Sequence, residues 1–240
     1  MKISIIIPVY NEEKMIGGCL DALINQNYPK DDYEIIVVND GSTDNTKSQI
    51  SNLKSQISTP EIRLINLEKN QGWITARETG AKNARYENLL FVDSRCVADG
   101  EILNNLAKIN YQPVVGNVVI KKHRSIFDRF GALFRKKLYA EYFGENFKPV
   151  YITPDNYDDI PKGTTVLFCD KDLFLSSQPQ NKNKWVSDDI RILKNIVEQK
   201  PLLKHPDIKV IYQSRNSFKS VFRHIFKRGT RFVDYYLNPK

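Results

Sequence analysis

Charged side chains follow two apolar runs of the sequence, at the position where open α/β sheets place their ligand sites. Asp40 comes after the run EIIVV at 34–38, and Asp93 comes directly after LLFV at 89–92. Arg95 stands two residues beyond Asp93, where a second carboxylate could share a divalent cation with it. Hard cations take oxygen ligands, whereas arginine pairs with two phosphate oxygens at once. The pattern therefore predicts a ligand site at the ends of these strands; if the ligand is a phosphate, either a metal or the protein supplies the positive charge.

The adjacent acids Asp188 and Asp189, in KWVSDDIRIL at 184–193, are candidates for proton transfer. Neighbouring carboxylates raise one another's pKa toward the range that a general base needs. The same two residues also suit the first turn of a helix, where aspartate accepts hydrogen bonds from unpaired amide groups. A catalytic role and a helix-capping role both remain open for this pair.

Strand and helix signals alternate through the first hundred residues, and these elements must position the charged groups. Continuous apolar runs predict buried strands, and apolar residues spaced three or four apart predict helices. Repeated strand–helix–strand units form mostly parallel, twisted sheets with right-handed crossovers, and ligands bind at the carboxyl ends of their strands. The predicted strands are 3–9, 34–38, 63–67 and 89–92, and the predicted helices are 13–24, 45–57 and 74–84.

The pattern is less regular after Gly100, and no change in composition marks a second domain. A loop rich in Asp, Asn and Tyr is predicted at 149–161. The helices predicted at 125–143 and 217–237 each carry an apolar face beside several basic residues. Further strands are predicted at 113–120 and 164–169, and further helices at 101–109 and 189–198.

The composition is that of a soluble globular protein rather than a membrane protein or a disulfide-rich secreted one. Hydrophobic residues make up 41% of the 240 residues, and no apolar run approaches the roughly 18 to 20 residues that span a bilayer. The N-terminus has no signal-peptide cleavage site, and the three cysteines have no metal-ligand spacing. We therefore expect one domain in a reducing, cytoplasmic compartment.

The net charge of +8 is concentrated in two segments. Residues 121–143 contain seven Lys or Arg against two acids, and residues 201–240 contain nine against two. Because basic amphipathic helices bind anionic lipid, these segments predict peripheral attachment to the inner face of a membrane. A core-packed helix with a charged outer side fits the same pattern. No nucleic-acid-binding module accompanies the charge, so no nucleic-acid partner is expected.

Four stretches resemble, in their order and spacing, the family 2 glycosyltransferases, which are nucleotide-sugar enzymes with the GT-A fold. The resemblance is close over the first hundred residues and loose beyond them. It implies an α/β, GT-A-like domain at 1–200, with a nucleotide-binding half at 1–100, an acceptor half at 101–200, and a basic helical C-terminal extension at 201–240. The four stretches are SIIIPVYNEE at 4–13, EIIVVNDGSTDNT at 34–46, NQGWITARETGAKNAR at 70–85 and LLFVDSR at 89–95.

By this resemblance, the nucleotide lies against residues that follow the predicted strands. Tyr10 would form a wall of the base pocket, Asp40 would accept a hydrogen bond from uracil, and Arg77 would meet ribose or phosphate oxygens. Other roles remain open: an Asx turn or helix cap in NDGS for Asp40, a first-turn helix acid for Glu12, and a solvated surface arginine for Arg77. The implied nucleotide-sugar set is Pro8, Val9, Tyr10, Glu12, Asp40, Arg77, Asp93, Ser94 and Arg95.

The family usually carries an Asp-x-Asp pattern where this chain has Asp93, Ser94 and Arg95, and its second acid binds Mg²⁺ or Mn²⁺ at the diphosphate. Asp93 alone is a poor metal ligand, and three interpretations follow. Arg95 replaces the metal and binds the diphosphate directly. Alternatively, Asp99 or an acid or histidine of the C-terminal half still holds a metal. In the third interpretation, catalysis is lost and the fold only binds its ligand.

The resemblance implies an inverting transfer of a sugar from a nucleoside diphosphate sugar, with a UDP-sugar as the expected donor, to a hydroxyl of a glycan or lipid-linked acceptor. Asp189 would take the acceptor proton, with Asp188 beside it. The leaving diphosphate would be stabilised by Arg95, by Arg228 or by a metal, and His224 is a further candidate. The alternative is a catalytically inactive protein of the same fold that binds nucleotide sugars or glycans.

Overall fold

The structure of the protein is a computed structural model that describes most of the chain. In the part that it describes, no helix has the length and apolar character needed to cross a bilayer. The described residues are 1–120, 140–142, 147–179 and 188–213.

Both predicted basic helices, 125–143 and 217–237, lie outside the described residues apart from a 3₁₀ turn at Ala140–Tyr142. Arg228 and His224 also lie outside them. The expected contact of these segments with an anionic membrane surface therefore stays a prediction.

Nine strands form one sheet within the described residues: β1 (Ile3–Val9), β2 (Tyr33–Asn39), β3 (Glu61–Asn66), β4 (Asn88–Val92), β5 (Cys96–Ala98), β6 (Val114–Val119), β7 (Val150–Ile152), β8 (Val166–Asp170) and β9 (Leu202–Tyr212). Their order is β3-β2-β1-β4-β8-β6-β9-β5, and β7 pairs with β9. The pairings that join β3, β2, β1 and β4 are parallel, whereas β8 is antiparallel to both β4 and β6. The expected α/β fold is confirmed, with a sheet that is parallel in its first half and mixed beyond it.

Helices cover both faces of the sheet. The core on one face contains side chains of α1 (Ile16–Ile24), α2 (Thr46–Gln56) and α4 (Ile102–Ile109). The core on the other face contains side chains of α3 (Trp73–Asn83), α5 (Lys171–Ser176) and α6 (Asp188–Gln199). Because helices cover both faces, β1 and β2 are buried at every position. Strands buried in this way have continuous apolar sequences, which is why the first strands could be predicted.

The helical extension expected at 201–240 is wrong for its first part, because Leu202–Tyr212 forms β9. Pro206 interrupts the apolar alternation of this segment and conceals its strand character. In the sheet, Pro206 falls where the pairing of β9 with β6 shifts register, between Lys204 and Lys209. Proline has no amide proton to donate to a regular ladder, so sheets tolerate it at irregularities where that hydrogen bond is not made.

Three short elements have no counterpart in the sequence prediction: β5, β7 and α5. The strand β7 interrupts the loop expected at 149–161. Each of these elements is too short to show a hydrophobic period. In α5, a helix cap supplies the missing signal, because the side chain of Asp170 accepts hydrogen bonds from the amides of Asp172 and Leu173.

Candidate functional site

The carboxyl ends of β1, β2 and β4 lie side by side, since β1 pairs in parallel with both of the other strands. Tyr10 follows β1, Asp40 follows β2 and Asp93 follows β4. The side chain of Tyr10 is exposed, whereas that of Asp40 is buried. The structure therefore brings these three predicted residues to the same end of the sheet.

The loops that follow β1 and β2 are joined through Asn11, whose backbone is left-handed at φ 52°. The Asn11 amide donates to Ser42 Oγ at 3.0 Å, and its side-chain oxygen accepts from the Thr43 amide at 2.8 Å. The Glu12 amide donates to Thr46 Oγ1 at 2.9 Å, at the first residue of α2. These contacts hold the two loops in one arrangement on this side of the site.

Asp40 accepts hydrogen bonds from two backbone amides at the start of α3. Its Oδ1 accepts from the Gln71 amide at 2.6 Å, and its Oδ2 accepts from the Gly72 amide at 2.9 Å. The Asx contact considered for Asp40 in NDGS is made by Asn39 instead, whose Oδ1 accepts from the Ser42 amide at 3.1 Å. Asp40 thus anchors the loop before α3 to the end of β2.

Arg77 lies on α3 with 4% of its side chain exposed, so the alternative of a solvated surface arginine is wrong. Its guanidinium donates to Thr164 Oγ1 at 2.6 Å and to the Thr164 carbonyl at 2.8 Å. It also donates to Asp93 Oδ1 at 2.8 Å, and its central carbon lies 4.7 Å from the ring centroid of Trp73. Arg77 therefore connects the end of β4 to the loop before β8.

The Asp93 carboxyl is oriented by Arg77 but is not enclosed, since 35% of its side chain is exposed. Burial raises the pKa of Asp93 above its ordinary value, and the charge and hydrogen bond of Arg77 oppose part of that rise. The arrangement presents a carboxylate in a fixed orientation with one side open to a ligand.

Arg95 forms an ion pair with Glu12, the acid in the loop after β1. Arg95 Nε lies 2.7 Å from Glu12 Oε1, and the two side chains are only 16% and 11% exposed. Arg95 Nη1 also donates to the Gln213 carbonyl at 3.4 Å, and the Gln213 amide donates to the Arg95 carbonyl at 2.9 Å. The arginine in place of the expected second acid is therefore fixed between the loop after β1 and the segment after β9.

The other residues expected to bind the nucleotide sugar contribute mainly to the frame of the site. Pro8 and Val9 are buried within β1, and the Val9 carbonyl accepts from the Asp40 amide at 2.8 Å. Ser94 is also buried. Asp188 and Asp189 begin α6, as the predicted helix required, and their role in proton transfer stays a prediction.

Asp99, the residue named as an alternative metal ligand, is already engaged elsewhere. Asp99, after β5, accepts a hydrogen bond from the Glu101 amide at 3.0 Å, next to α4. No group of three His, Cys, Asp or Glu side chains suited to holding a metal ion occurs among the residues that the structure describes. This part of the chain therefore does not form a carboxylate cage around Asp93.

Two partly or fully buried lysines, on β9 and in the loop before β8, were missed by the sequence interpretation. Lys204, on β9, is buried and donates to the Pro161 carbonyl at 3.1 Å. Burial and the nearby charge of Lys162 lower the pKa of Lys204 to about 8. Lys162 lies 3.6 Å above the ring of Tyr157, and burial lowers its pKa to about 8. Sequence reasoning had no signal for this pair, because the two lysines lie on different elements and only the fold brings them together.

The sequence model of the family described as Glycosyl transferase family 2 matches residues 4–160. The poly(ribitol-phosphate) beta-glucosyltransferase of Bacillus spizizenii is 46% identical over 95 residues, which cover 39% of this chain and 15% of that protein. The dolichyl N-acetyl-alpha-D-glucosaminyl phosphate 3-beta-D-2,3-diacetamido-2,3-dideoxy-beta-D-glucuronosyltransferase of Methanococcus voltae is 28% identical over 95% of this chain and 71% of its own length. The chain thus spans only a small part of the first of these relatives.

Solved structures share the fold. Staphylococcus aureus TarS 1-349 in complex with UDP-GlcNAc has a TM-score of 0.66 and 20% identity, over 90% of this chain and 60% of that one. The mannosyltransferase PcManGT from Pyrobaculum calidifontis, in complex with GDP-Man and Mn²⁺, has a TM-score of 0.68 and 21% identity, over 99% of this chain and 63% of that one. These likenesses confirm the GT-A-like fold. Since the family model also matches more than half of its residues, this chain belongs to glycosyl transferase family 2.

Proposed function

We propose that this chain transfers a sugar from a nucleoside diphosphate sugar, with UDP as the expected nucleotide, to a hydroxyl group with inversion at the anomeric carbon. The observation that carries the proposal is the meeting of Tyr10, Asp40, Asp93 and Arg95 at the carboxyl ends of adjacent parallel strands. Open α/β sheets bind their ligands at this position. Family membership supports the same conclusion.

The nucleoside would lie across the ends of β1 and β2. Tyr10 offers an exposed aromatic ring for a base to stack on, and Asp40 stands at the end of the neighbouring strand. A carboxylate accepts from an N–H of uracil or of guanine, and the solved neighbours were captured with UDP-GlcNAc and with GDP-Man. Competition between UDP and GDP therefore tests the base, with tighter binding of UDP expected.

The ribose and the diphosphate would follow along β4. The exposed side of the Asp93 carboxylate suits a ribose hydroxyl, which can donate to it. Arg77 supports this role, because its hydrogen bond to Asp93 Oδ1 holds the carboxylate in place. Arg95 lies two residues further along the chain and supplies positive charge near the expected diphosphate.

The transfer requires one base and one leaving group. We assign the base role to Asp189 at the start of α6, with Asp188 beside it. As Asp189 takes the acceptor proton, the acceptor oxygen forms a bond to the anomeric carbon from the face opposite the leaving group. The bond between that carbon and the diphosphate oxygen breaks, and the nucleoside diphosphate leaves with the electron pair. Attack from the opposite face inverts the anomeric configuration.

The acceptor is proposed to be a glycan or a lipid-linked saccharide. The names of the relatives from Bacillus spizizenii and Methanococcus voltae refer to poly(ribitol-phosphate) and to a dolichyl-linked saccharide phosphate. The basic segments at 121–143 and 201–240 support an acceptor presented at an anionic membrane surface. Binding to vesicles that contain anionic lipid, weakened by added salt, is the expected behaviour.

The direct test is release of nucleoside diphosphate from a panel of UDP- and GDP-sugars with candidate acceptors. Asp189→Asn is expected to abolish release while leaving UDP affinity unchanged, because only the proton acceptor is removed. Asp172→Asn is the matched control, since Asp172 is also an acid in the first turn of a helix and is exposed. It follows the end of β8, which pairs with the start of β4, so it lies at the opposite end of the sheet from Asp93. Unchanged turnover by Asp189→Asn would remove this residue from the mechanism.

A catalytically inactive binding protein of the same fold is the second candidate, because the usual second acid is replaced by Arg95. It predicts that the wild-type chain binds UDP but releases no nucleoside diphosphate with any donor and acceptor. Turnover that is lost in Asp189→Asn and retained in Asp172→Asn contradicts this candidate.

A further inference from the structure

Two ion pairs join charged side chains at the ends of β1 and β4. Glu12 and Arg95 pair at 2.7 Å, and Asp93 and Arg77 pair at 2.8 Å. Each carboxylate of this group therefore already faces a guanidinium. The four side chains belong to the loop after β1, to the end of β4 and to α3, so these ion pairs are a property of the folded site rather than of one segment.

These residues do not fit a divalent cation. Mg²⁺ and Mn²⁺ favour octahedral sets of oxygen ligands. The two acids of this group, Asp93 and Glu12, are instead bound to arginines. A metal between these acids would displace two ion pairs and stand beside two cations that repel it. Asp99 is engaged at α4, and no metal-holding group of three acids, histidines or cysteines occurs in the described ranges.

Arg95 has the chemistry to take the place of the cation. A guanidinium stays charged and offers five N–H donors, of which the contacts with Glu12 and Gln213 use those on Nε and Nη1. The Glu12 contact fixes the plane of the guanidinium, so less side-chain freedom is lost when a phosphate binds. Arg95 lies three residues beyond the end of β4, at the edge where open α/β sheets bind their ligands.

We propose that this chain binds the diphosphate of its donor without a divalent cation, using Arg95 held in place by Glu12 as the source of positive charge. The inference rests on the proposed function, because it assigns the donor diphosphate to this site. It differs from the neighbouring structure that contains Mn²⁺ together with GDP-Man.

The test is calorimetric titration of UDP, and separately of GDP, into the purified chain in EDTA and then in Mn²⁺. The wild-type affinity for the preferred nucleotide is expected to agree within about two-fold between the two conditions. Arg95→Gln is expected to weaken binding at least ten-fold in both, which corresponds to about 1.4 kcal/mol. The affinity of Arg95→Lys is expected to lie between those of the wild type and Arg95→Gln, because lysine keeps the charge but cannot bind two phosphate oxygens with a planar fork.

Arg85→Gln is the matched control for these variants. Arg85 also pairs with a glutamate at 2.7 Å, through Glu61 Oε2, but it precedes β4 and so lies at the opposite end of the sheet. Its removal should leave the affinity for UDP and GDP unchanged in both conditions.

The variants of Glu12 separate the role of Arg95 from the effect of leaving an unpaired acid. Glu12→Gln keeps the cation and an oxygen that can accept from Arg95 Nε, so its effect on affinity in EDTA is expected to be smaller than that of Arg95→Gln. The double variant Glu12→Gln with Arg95→Gln removes both charges of the pair, so it avoids burying an unpaired glutamate. It is expected to bind as weakly as Arg95→Gln alone. Recovery of wild-type affinity in the double variant would contradict the proposal.

The remaining outcomes distinguish this inference from the proposed function. Binding that requires Mn²⁺, and that Arg95→Gln weakens no more than Arg85→Gln, would overturn metal-independent binding while leaving the donor site intact. No binding of UDP or GDP by the wild-type chain in either condition would overturn the proposed function itself, and this inference with it. Thermal unfolding of each variant verifies that it is folded, and Glu12→Gln and Arg95→Lys carry the test if Arg95→Gln is not.

Discussion

Replacing Arg77 with methionine should destabilise the whole domain, because this side chain joins three elements. Its guanidinium donates two hydrogen bonds to Thr164 and one to Asp93, and it stacks on Trp73. Methionine keeps most of the apolar volume and its contact with Trp73, so the change isolates the polar interactions.

The magnitude follows from the burial of each partner. Removing one partner of a buried ion pair costs about 3 to 5 kcal/mol, and each further lost hydrogen bond costs about 0.5 to 1.5 kcal/mol. The ion-pair cost falls at the lower end because 35% of the Asp93 side chain is exposed. Together with the two lost bonds to Thr164, we therefore expect Arg77→Met to lower the free energy of unfolding by about 4 to 6 kcal/mol.

Urea unfolding at pH 7 measures this loss, with Asp93→Asn and the double variant completing a cycle. A coupling of about 1 to 3 kcal/mol between the two positions is expected for residues in direct contact. Arg85→Met is the control, because its ion pair with Glu61 is exposed on both sides and such pairs contribute little. A loss for Arg77→Met no larger than that for Arg85→Met, or additive effects in the cycle, would refute this account of Arg77.

Two further predictions concern packing and pH. A β-carbon at Gly80 would overlap the Cγ2 methyl of Ile6, so Gly80→Ala should lower the free energy of unfolding by about 1 to 2 kcal/mol despite the better helix propensity of alanine. Gly17→Ala, also helical but with open space around it, should be neutral or stabilising by about 0.5 to 1 kcal/mol; equal effects at the two sites would contradict the packing argument. Because the pKa of Lys204 is lowered to about 8 from 10.5, the unfolded chain binds more protons between these values, and the free energy of unfolding should rise with pH from about 8 to about 10.5. Urea titrations across this range should show a shallower rise for Lys204→Met, and an unchanged slope would exclude Lys204 as a source of the pH dependence.

The parallel half of the sheet could be predicted because its strands are buried on both faces. Ile3–Val9 and Tyr33–Asn39 are apolar along most of their length, and this pattern has few alternative interpretations. The charged residues after these strands could then be assigned to one end of the sheet by topology alone. The strand Leu202–Tyr212 could not be predicted, since Pro206 breaks its apolar alternation. The proline fits into the strand only because the pairing with β6 shifts register there.

The partners of the site residues could not be predicted from sequence. Arg77 and Thr164 are 87 residues apart, and Arg95 and Glu12 are 83 residues apart. Each pair meets only because the fold brings separate elements, such as α3 and the loop before β8, to the same end of the sheet. Sequence could therefore indicate that Arg95 stands where an acid was expected, but it could not show that Glu12 already balances its charge.

The central claim is that a nucleoside diphosphate binds at the carboxyl ends of β1, β2 and β4, and a crystal structure with UDP grown in EDTA tests it most directly. The account predicts uracil beside Tyr10 and Asp40, and diphosphate oxygens within hydrogen-bonding distance of Arg95. Density for UDP elsewhere on the protein, or a diphosphate that makes no contact with Arg95, would contradict it.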